Sequence, residues 1–82
     1  MGYKLEDVVR LKSKESFYQT EGITQDEIDT FEMIMNECTI TLFQIFDIIP
    51  KEHDIDDYVI VTDDNEMYII TDNMIEEKVK HE

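Results

Sequence analysis

Basic residues are scarce in most of this chain. Between Glu21 and Glu77 the sequence has 17 Asp and Glu residues and one basic residue, Lys51, a formal charge of 1 − 17 = −16. The whole 82-residue chain carries −14, because both ends are slightly basic. Nucleic-acid binding requires Lys and Arg at the phosphates, so we expect no direct nucleic-acid binding. A charge of one sign repels itself, which favours a basic protein surface as the partner.

Cysteine, proline, glycine and long apolar runs are also scarce. Cys38 is the one cysteine, so no internal disulfide can form, which is typical of a reducing compartment. No apolar run reaches the ~18 residues of a membrane span, and the first residues show no secretory hydrophobic region. The sequence therefore predicts a soluble, cytoplasmic protein.

The length predicts a single domain, residues 1–82. A domain of this size buries roughly 60% of its unfolded surface, so its stability is marginal. The chain is 41% hydrophobic and has four Tyr and four Phe residues. Disordered acidic tails lack such residues, so we expect a folded domain.

One amphipathic helix is predicted over residues 25–36. Thr24 and Glu27 have the spacing of a capping box at its start. At 100° per residue, one face collects Ile28, Phe31, Ile34 and Met35. The opposite face is acidic and has Met33 in its middle.

The remaining pattern predicts strands and turns. Alternation favours a strand over residues 5–13, and residues 14–22 are interpreted as a loop or a ragged strand. A β-branched and aromatic run predicts a strand over residues 38–49, which Pro50 ends. Two short strands, 58–62 and 67–71, form a hairpin around Asp64 and Asn65, and we expect both to be covered on two sides. A short helical turn at 71–75 and an edge strand at 76–80 complete an α+β fold with a small antiparallel sheet of four to five strands.

The segments VVRLKS (Val8–Ser13) and YVIVTDDNEMYIITDNMIEEKV (Tyr58–Val79) carry a resemblance. Their order resembles small phage and prophage proteins built on a Src-homology-three-like (SH3-like) β-barrel. Tyr68, Ile70, Thr71, Met74 and Ile75 fill the last positions of that family pattern. The resemblance implies a partly open SH3-like barrel, a phage origin with the host cytoplasm as location, and a non-enzymatic interaction role.

The acidic residues form the candidate site. Same-face residues of a strand repeat every ~6.6 Å, and i,i+3 residues of a helix lie ~5–6 Å apart, so fixed carboxylates can imitate a row of phosphates. This is similar to the DNA mimicry of anti-CRISPR, anti-restriction and uracil-DNA glycosylase inhibitor proteins. We expect a host nuclease's basic groove to be the partner, with Met33 as an apolar anchor. The predicted partner-binding residues are Asp26, Asp29, Glu32, Met33, Glu37, Asp56, Asp57, Asp63, Asp64 and Glu66.

Other interpretations stay open. The acidity can serve solubility alone, in an accessory domain that binds a protein through apolar surface. Asp54–Asp57 and Asp63–Glu66 offer oxygens for a hard cation, but the second segment lacks the third ligand and the turn glycine of an EF-hand loop. Cys38, His53 and His81 are too few and too scattered for zinc. We therefore predict no enzyme activity, no cofactor and no metal.

Overall fold

A computed structural model describes residues 2–79 of the chain. These residues form five strands, two α-helices and one 3₁₀ turn. In chain order the elements are β1 (Val8–Leu11), α1 (Lys14–Tyr18), α2 (Gln25–Glu37), β2 (Leu42–Ile49), β3 (Asp57–Val61), β4 (Met67–Ile70), the 3₁₀ turn (Asp72–Met74) and β5 (Ile75–Val79).

The strands form one antiparallel sheet in the order β4-β3-β2-β1-β5. β2 lies in the middle and has a bulge between Ile45 and Asp47. β4 and β5 lie at the two edges, so among the described residues the sheet is open. The prediction of an α+β fold with a small antiparallel sheet and one main helix is confirmed.

α2 begins as its sequence predicts. The amide of Glu27 donates to Thr24 Oγ1 (3.2 Å), and the amide of Thr24 donates to Glu27 Oε1 (2.8 Å). The helix ends at Glu37, one residue later than predicted. Phe31 and Ile34 are fully buried, and Ile28 and Met35 pack against the core at its edge. The predicted apolar face is therefore confirmed.

The core lies between the helices and one face of the sheet. Every strand contributes to it, because alternate residues of the strands point towards the helices. The buried cluster consists of Val9, Leu11, Phe17, Phe31, Ile34, Phe43, Ile45, Tyr58, Ile60, Tyr68, Ile70, Met74 and Ile75.

The prediction of a loop or ragged strand over residues 14–22 is wrong for residues 14–18 and confirmed for residues 19–22, which form turns. Lys14–Tyr18 form α1, and Ser13 caps it by accepting a hydrogen bond from the Ser16 amide (3.2 Å). Phe17 is fully buried and stacks on Phe31, with ring centroids 4.1 Å apart. Five residues are too few for helical periodicity to be recognised, and this stacking contact is not visible in the sequence.

The strand predicted over 38–49 is shorter at its start. β2 begins at Leu42, and residues 38–41 connect it to α2. Burial alternates along β2 from Leu42 to Phe46: Phe43 and Ile45 are buried, whereas Leu42 and Phe46 are exposed. The first strand is also shorter than predicted, Val8–Leu11, with Val9 and Leu11 in the core and Arg10 exposed.

The hairpin is confirmed, but β4 is covered on one side only. Asn65, in the turn, has a φ of 63°, a conformation that Asn tolerates better than most residues. Tyr68 and Ile70 are buried, while Met67 and Ile69 are exposed. The expectation of cover on two sides is therefore wrong for β4, which is an edge strand. It is confirmed for β3, where Tyr58, Val59 and Ile60 are all buried.

The 3₁₀ turn and the edge strand after it are confirmed. β5 pairs with β1 and begins one residue earlier than predicted. Its predicted last residue, Lys80, lies outside the described residues, as does His81. No helix within residues 2–79 is long and apolar enough to cross a membrane.

Candidate functional site

The acidic face of α2 points away from the core. Asp26, Asp29 and Glu37 are exposed, and Met33 between them is 52% exposed. Asp26 and Glu37 are eleven residues apart, which is about 16 Å along a helix. Glu32 lies at the side of this face, where it accepts a hydrogen bond from the Tyr18 hydroxyl. The helix therefore presents a row of carboxylates around one exposed methionine.

The end of α2 meets the β3–β4 hairpin at Tyr68. The Tyr68 hydroxyl lies 2.7 Å from Glu37 Oε2 and 2.9 Å from Glu66 Oε2. These contacts, first with Glu37 and then with Glu66, raise the pKa of Tyr68 far above its ordinary value, so the hydroxyl keeps its proton. The Tyr68 hydroxyl thus lies between two predicted site residues that are 29 positions apart in the sequence, and its single proton serves one carboxylate at a time.

Cys38, directly after α2, lies beside the same carboxylates. Burial raises the pKa of its thiol, and the charges of nearby acidic residues raise it further. These charges belong to Glu37, Asp63, Asp64 and Glu66, which we call the hairpin cluster. The cluster brings together four of the ten predicted residues.

Asp56 and Asp57 lie elsewhere, in a cleft at the start of α2. The cleft has a volume of about 660 Å³ and lies between Asp26 and Thr30 of α2, the segment before β3, and the end of β4. Six carboxylates line it, and we call them the cleft cluster: Asp26, Glu27, Asp54, Asp56, Asp57 and Asp72.

Lys51 partly neutralises the cleft. Its ammonium lies 3.1 Å from Asp57 Oδ2, and its amide donates to Asp56 Oδ1 (3.3 Å). The hydrogen bond with Asp57, and then the charge of Asp57, raise the pKa of Lys51. The one basic residue between Glu21 and Glu77 is therefore already paired with an acidic side chain. A partner's Lys or Arg would have to compete with Lys51 for Asp57.

Glu27 also belongs to the cleft cluster, although the sequence predicted only its role in the capping box of α2. It is 8% exposed, and its Oε2 accepts hydrogen bonds from the Thr71 hydroxyl and from Asn73 Nδ2 (3.1 Å). Burial on its own would raise its pKa, but the hydrogen bonds from Thr71, Thr24 and Asn73 outweigh burial and lower it. Glu27 is thus an ionised carboxylate inside the fold that ties α2 to the end of β4.

The predicted residues therefore form two groups that α2 connects. Its first turn supplies Asp26 to the cleft cluster, and its last residue supplies Glu37 to the hairpin cluster. Asp29, Glu32 and Met33 lie between them on the helix. Within residues 2–79, no group of three or more His, Cys, Asp or Glu side chains is placed to hold a metal ion.

A set of exposed apolar residues was not among the predicted site residues. Phe46 and Met67 lie on the face of the sheet opposite the core, and Leu5 lies next to Phe46. Ile69 is exposed on the same side of β4 and also lines the cleft at the start of α2. The apolar composition of β4 predicted burial on both sides, so the exposure of Met67 and Ile69 was not expected.

Comparison of the chain with known protein families, curated proteins and solved structures finds no match.

Proposed function

We propose that this protein is an inhibitor that occupies the basic nucleic-acid groove of a host nuclease, in the manner of phage anti-CRISPR and anti-restriction proteins. The observation that carries the proposal is the arrangement of the two acidic clusters, which α2 connects over about 16 Å. Asp26, Glu27 and Glu37 belong to α2, and the Tyr68 hydroxyl lies between Glu37 and Glu66. Charge-assisted hydrogen bonds with Arg and Lys would form at these carboxylates.

We further propose that the open sheet is a partly closed SH3-like barrel and that the protein acts in the cytoplasm of an infected host. The bulge in β2 supports the barrel, because a bulge bends its strand and increases the local twist. β2 also divides its pairing at this point: Leu42–Gln44 pair with β1, and the rest of the strand pairs with β3.

The test is inhibition and direct binding measured against a panel of purified enzymes that act on DNA: an RNA-guided nuclease, a restriction enzyme and, as a DNA-binding enzyme that is not a nuclease, a uracil-DNA glycosylase. The triple variant Asp63→Lys/Asp64→Lys/Glu66→Lys reverses three of the four charges of the hairpin cluster. Each lost charge-assisted bond is worth about 1.5–3 kcal/mol, so we expect at least ~100-fold weaker binding. Binding should also weaken steeply between low and high salt.

A matched control separates the site from the net charge. The variant Glu15→Lys/Glu52→Lys/Glu76→Lys changes the net charge by the same amount at exposed positions outside both clusters. We expect it to keep most of the binding. Equal losses in the two triple variants, or binding that is flat with salt, would contradict mimicry of a polyanion.

The second candidate function is a non-enzymatic phage or bacterial accessory domain that binds a protein through apolar surface, with the acidity serving solubility. The exposed residues Phe46, Met67 and Ile69 favour it. Survival of function in the Asp63→Lys/Asp64→Lys/Glu66→Lys variant would select this candidate.

A further inference from the structure

The outer face of the sheet carries paired apolar side chains. Tyr58, Ile60, Tyr68 and Ile70 point into the core, so their neighbours on β3 and β4 point outwards. The register places Val59 opposite Ile69 and Val61 opposite Met67. Ile69 is 51% exposed and Met67 is 62% exposed. Val59 is 7% exposed and Val61 is half-buried, so the exposed part of these pairs is on β4. Such cross-strand neighbours contact each other directly.

The bulge in β2 extends this surface. It inserts Phe46 between the pairs Ile45–Ile60 and Asp47–Val59, and the ring of Phe46 is 62% exposed. Leu5, Phe46 and Val61 line one shallow cavity of about 320 Å³. We call the surface formed by Leu5, Phe46, Val61, Met67 and Ile69 the outer apolar patch.

A patch of this kind is unusual on a chain with so many charges. Single exposed apolar residues are normal on soluble proteins, but contiguous ones mark interaction sites. Phe and Met are also the residue types that protein interfaces enrich at their centres. The patch therefore has the composition of an interface core.

Acidic residues surround the patch. Glu6 follows Leu5 and lines the same cavity, and Asp47 follows Phe46; both are exposed. A second copy of the chain would bring a further −14 charge to this face, and like charges placed opposite each other oppose association. Anionic lipid is disfavoured for the same reason. The complementary occupant has apolar side chains at its centre and Lys or Arg around them.

We propose that the outer apolar patch docks a protein segment whose apolar side chains are flanked by Lys and Arg. The apolar side chains would cover Phe46, Met67 and Ile69, and the basic ones would pair with Glu6 and Asp47. This inference goes beyond the proposed inhibitor function and deepens the second candidate function, because it gives the chemistry of a partner whose binding is driven by burial of apolar surface. It holds whether or not the acidic clusters bind a nuclease.

Two synthetic peptides test the proposal. One alternates Leu and Lys over nine residues, and the other has Ser in place of every Leu, so both carry the same charge. Binding is measured at 150 mM salt, with methyl-labelled Met and Ile followed by NMR. We expect the Leu peptide to bind at least tenfold more tightly and to shift the methyl signals of Met67 and Ile69, leaving those of Met33 and Ile40 in place.

Variants complete the test. Phe46→Ser/Met67→Ser should reduce the affinity for the Leu peptide at least tenfold and leave the affinity for the Ser peptide unchanged. Ile40→Ser, which removes an exposed apolar residue before β2, is the matched control and should change neither. The amide spectrum confirms that each variant is folded.

Three results would overturn the proposal. The first is that both peptides bind the native protein with similar affinity, because charge alone then explains the binding. The second is that the methyl shifts are as large at Met33 and Ile40 as at Met67 and Ile69. The third is micromolar self-association, or binding to anionic vesicles, that Phe46→Ser/Met67→Ser abolishes, since a second copy or lipid would then be the occupant.

Discussion

Glu27 connects a local sequence motif to the tertiary structure. Its contact with Thr24 is a capping box and is visible in the sequence. Its contacts with Thr71 and Asn73 span 44 and 46 residues and are not. The contact of Glu27 with Thr24 could therefore be predicted from the local motif. Its contacts with Thr71 and Asn73 depend on how the chain folds back on α2.

We predict that Glu27→Gln destabilises the protein by about 1.5–3 kcal/mol at pH 7, because a buried charge loses its hydrogen bonds. The pKa of Glu27 is lowered in the folded state, so its stabilising effect is complete above the unfolded value of about 4.3. The effect is lost as the pH falls through the lower folded pKa. The difference between wild type and variant should therefore shrink at pH 3, which urea unfolding at the two pH values measures.

Glu76→Gln is the control for this prediction. Glu76 is an exposed carboxylate on β5, and such substitutions usually change stability by less than about 0.5 kcal/mol. A loss in Glu27→Gln no larger than in Glu76→Gln would show that the buried hydrogen bonds contribute little.

Individual acidic residues could be predicted as candidates, but not their grouping. The helical period predicts that Asp26, Asp29 and Glu37 are exposed, because they lie on the face of α2 opposite the apolar residues that pack on the core. The approach of Glu37 to Glu66 depends on where the hairpin lies against α2. The pairing of Asp57 with Lys51 likewise depends on the path of the loop before β3.

At the level of elements, local patterns predicted α2 and the β3–β4 hairpin well. Both combine a start or turn motif with a clear apolar period. α1 lacks such a period, and its stability comes from the stacking of Phe17 on Phe31. β4 was predicted to be covered on both sides because composition does not show on which face of a sheet the helices pack. The strand order is also a property of the tertiary structure rather than of any single segment.

We predict that Thr24→Ala reduces the free energy of unfolding by about 1 kcal/mol, because the Glu27 amide at the start of α2 loses its acceptor. Thr39→Ala is the matched control, since Thr39 is an exposed threonine outside the helices and strands. Urea unfolding of the two variants measures the difference. Equal stability of the two would contradict a stabilising role for the cap.

For the whole molecule, the charge of −14 opposes the compact state. Added salt screens this repulsion, with a Debye length of about 10 Å at 0.1 M. We predict that raising NaCl from 20 to 300 mM increases the melting temperature by several degrees, since about 1 kcal/mol corresponds to about 4–8 °C for a domain of this size. Differential scanning fluorimetry measures the shift.

The variant Glu15→Lys/Glu52→Lys/Glu76→Lys should respond less to salt. Its three reversals reduce the net charge from −14 to −14 + 6 = −8. A melting temperature that is independent of salt in the native chain, or an equal response in the variant, would show that self-repulsion does not limit stability.

The single thiol of the chain is a built-in reporter of its electrostatic potential. Cys38 lies beside Glu37, Asp63, Asp64 and Glu66, which oppose the formation of its thiolate. A doubly negative aromatic disulfide approaching this sulfur meets the same field, whereas an uncharged reagent of similar size does not. The ratio of the two reaction rates therefore measures the local field in the native protein, without any substitution.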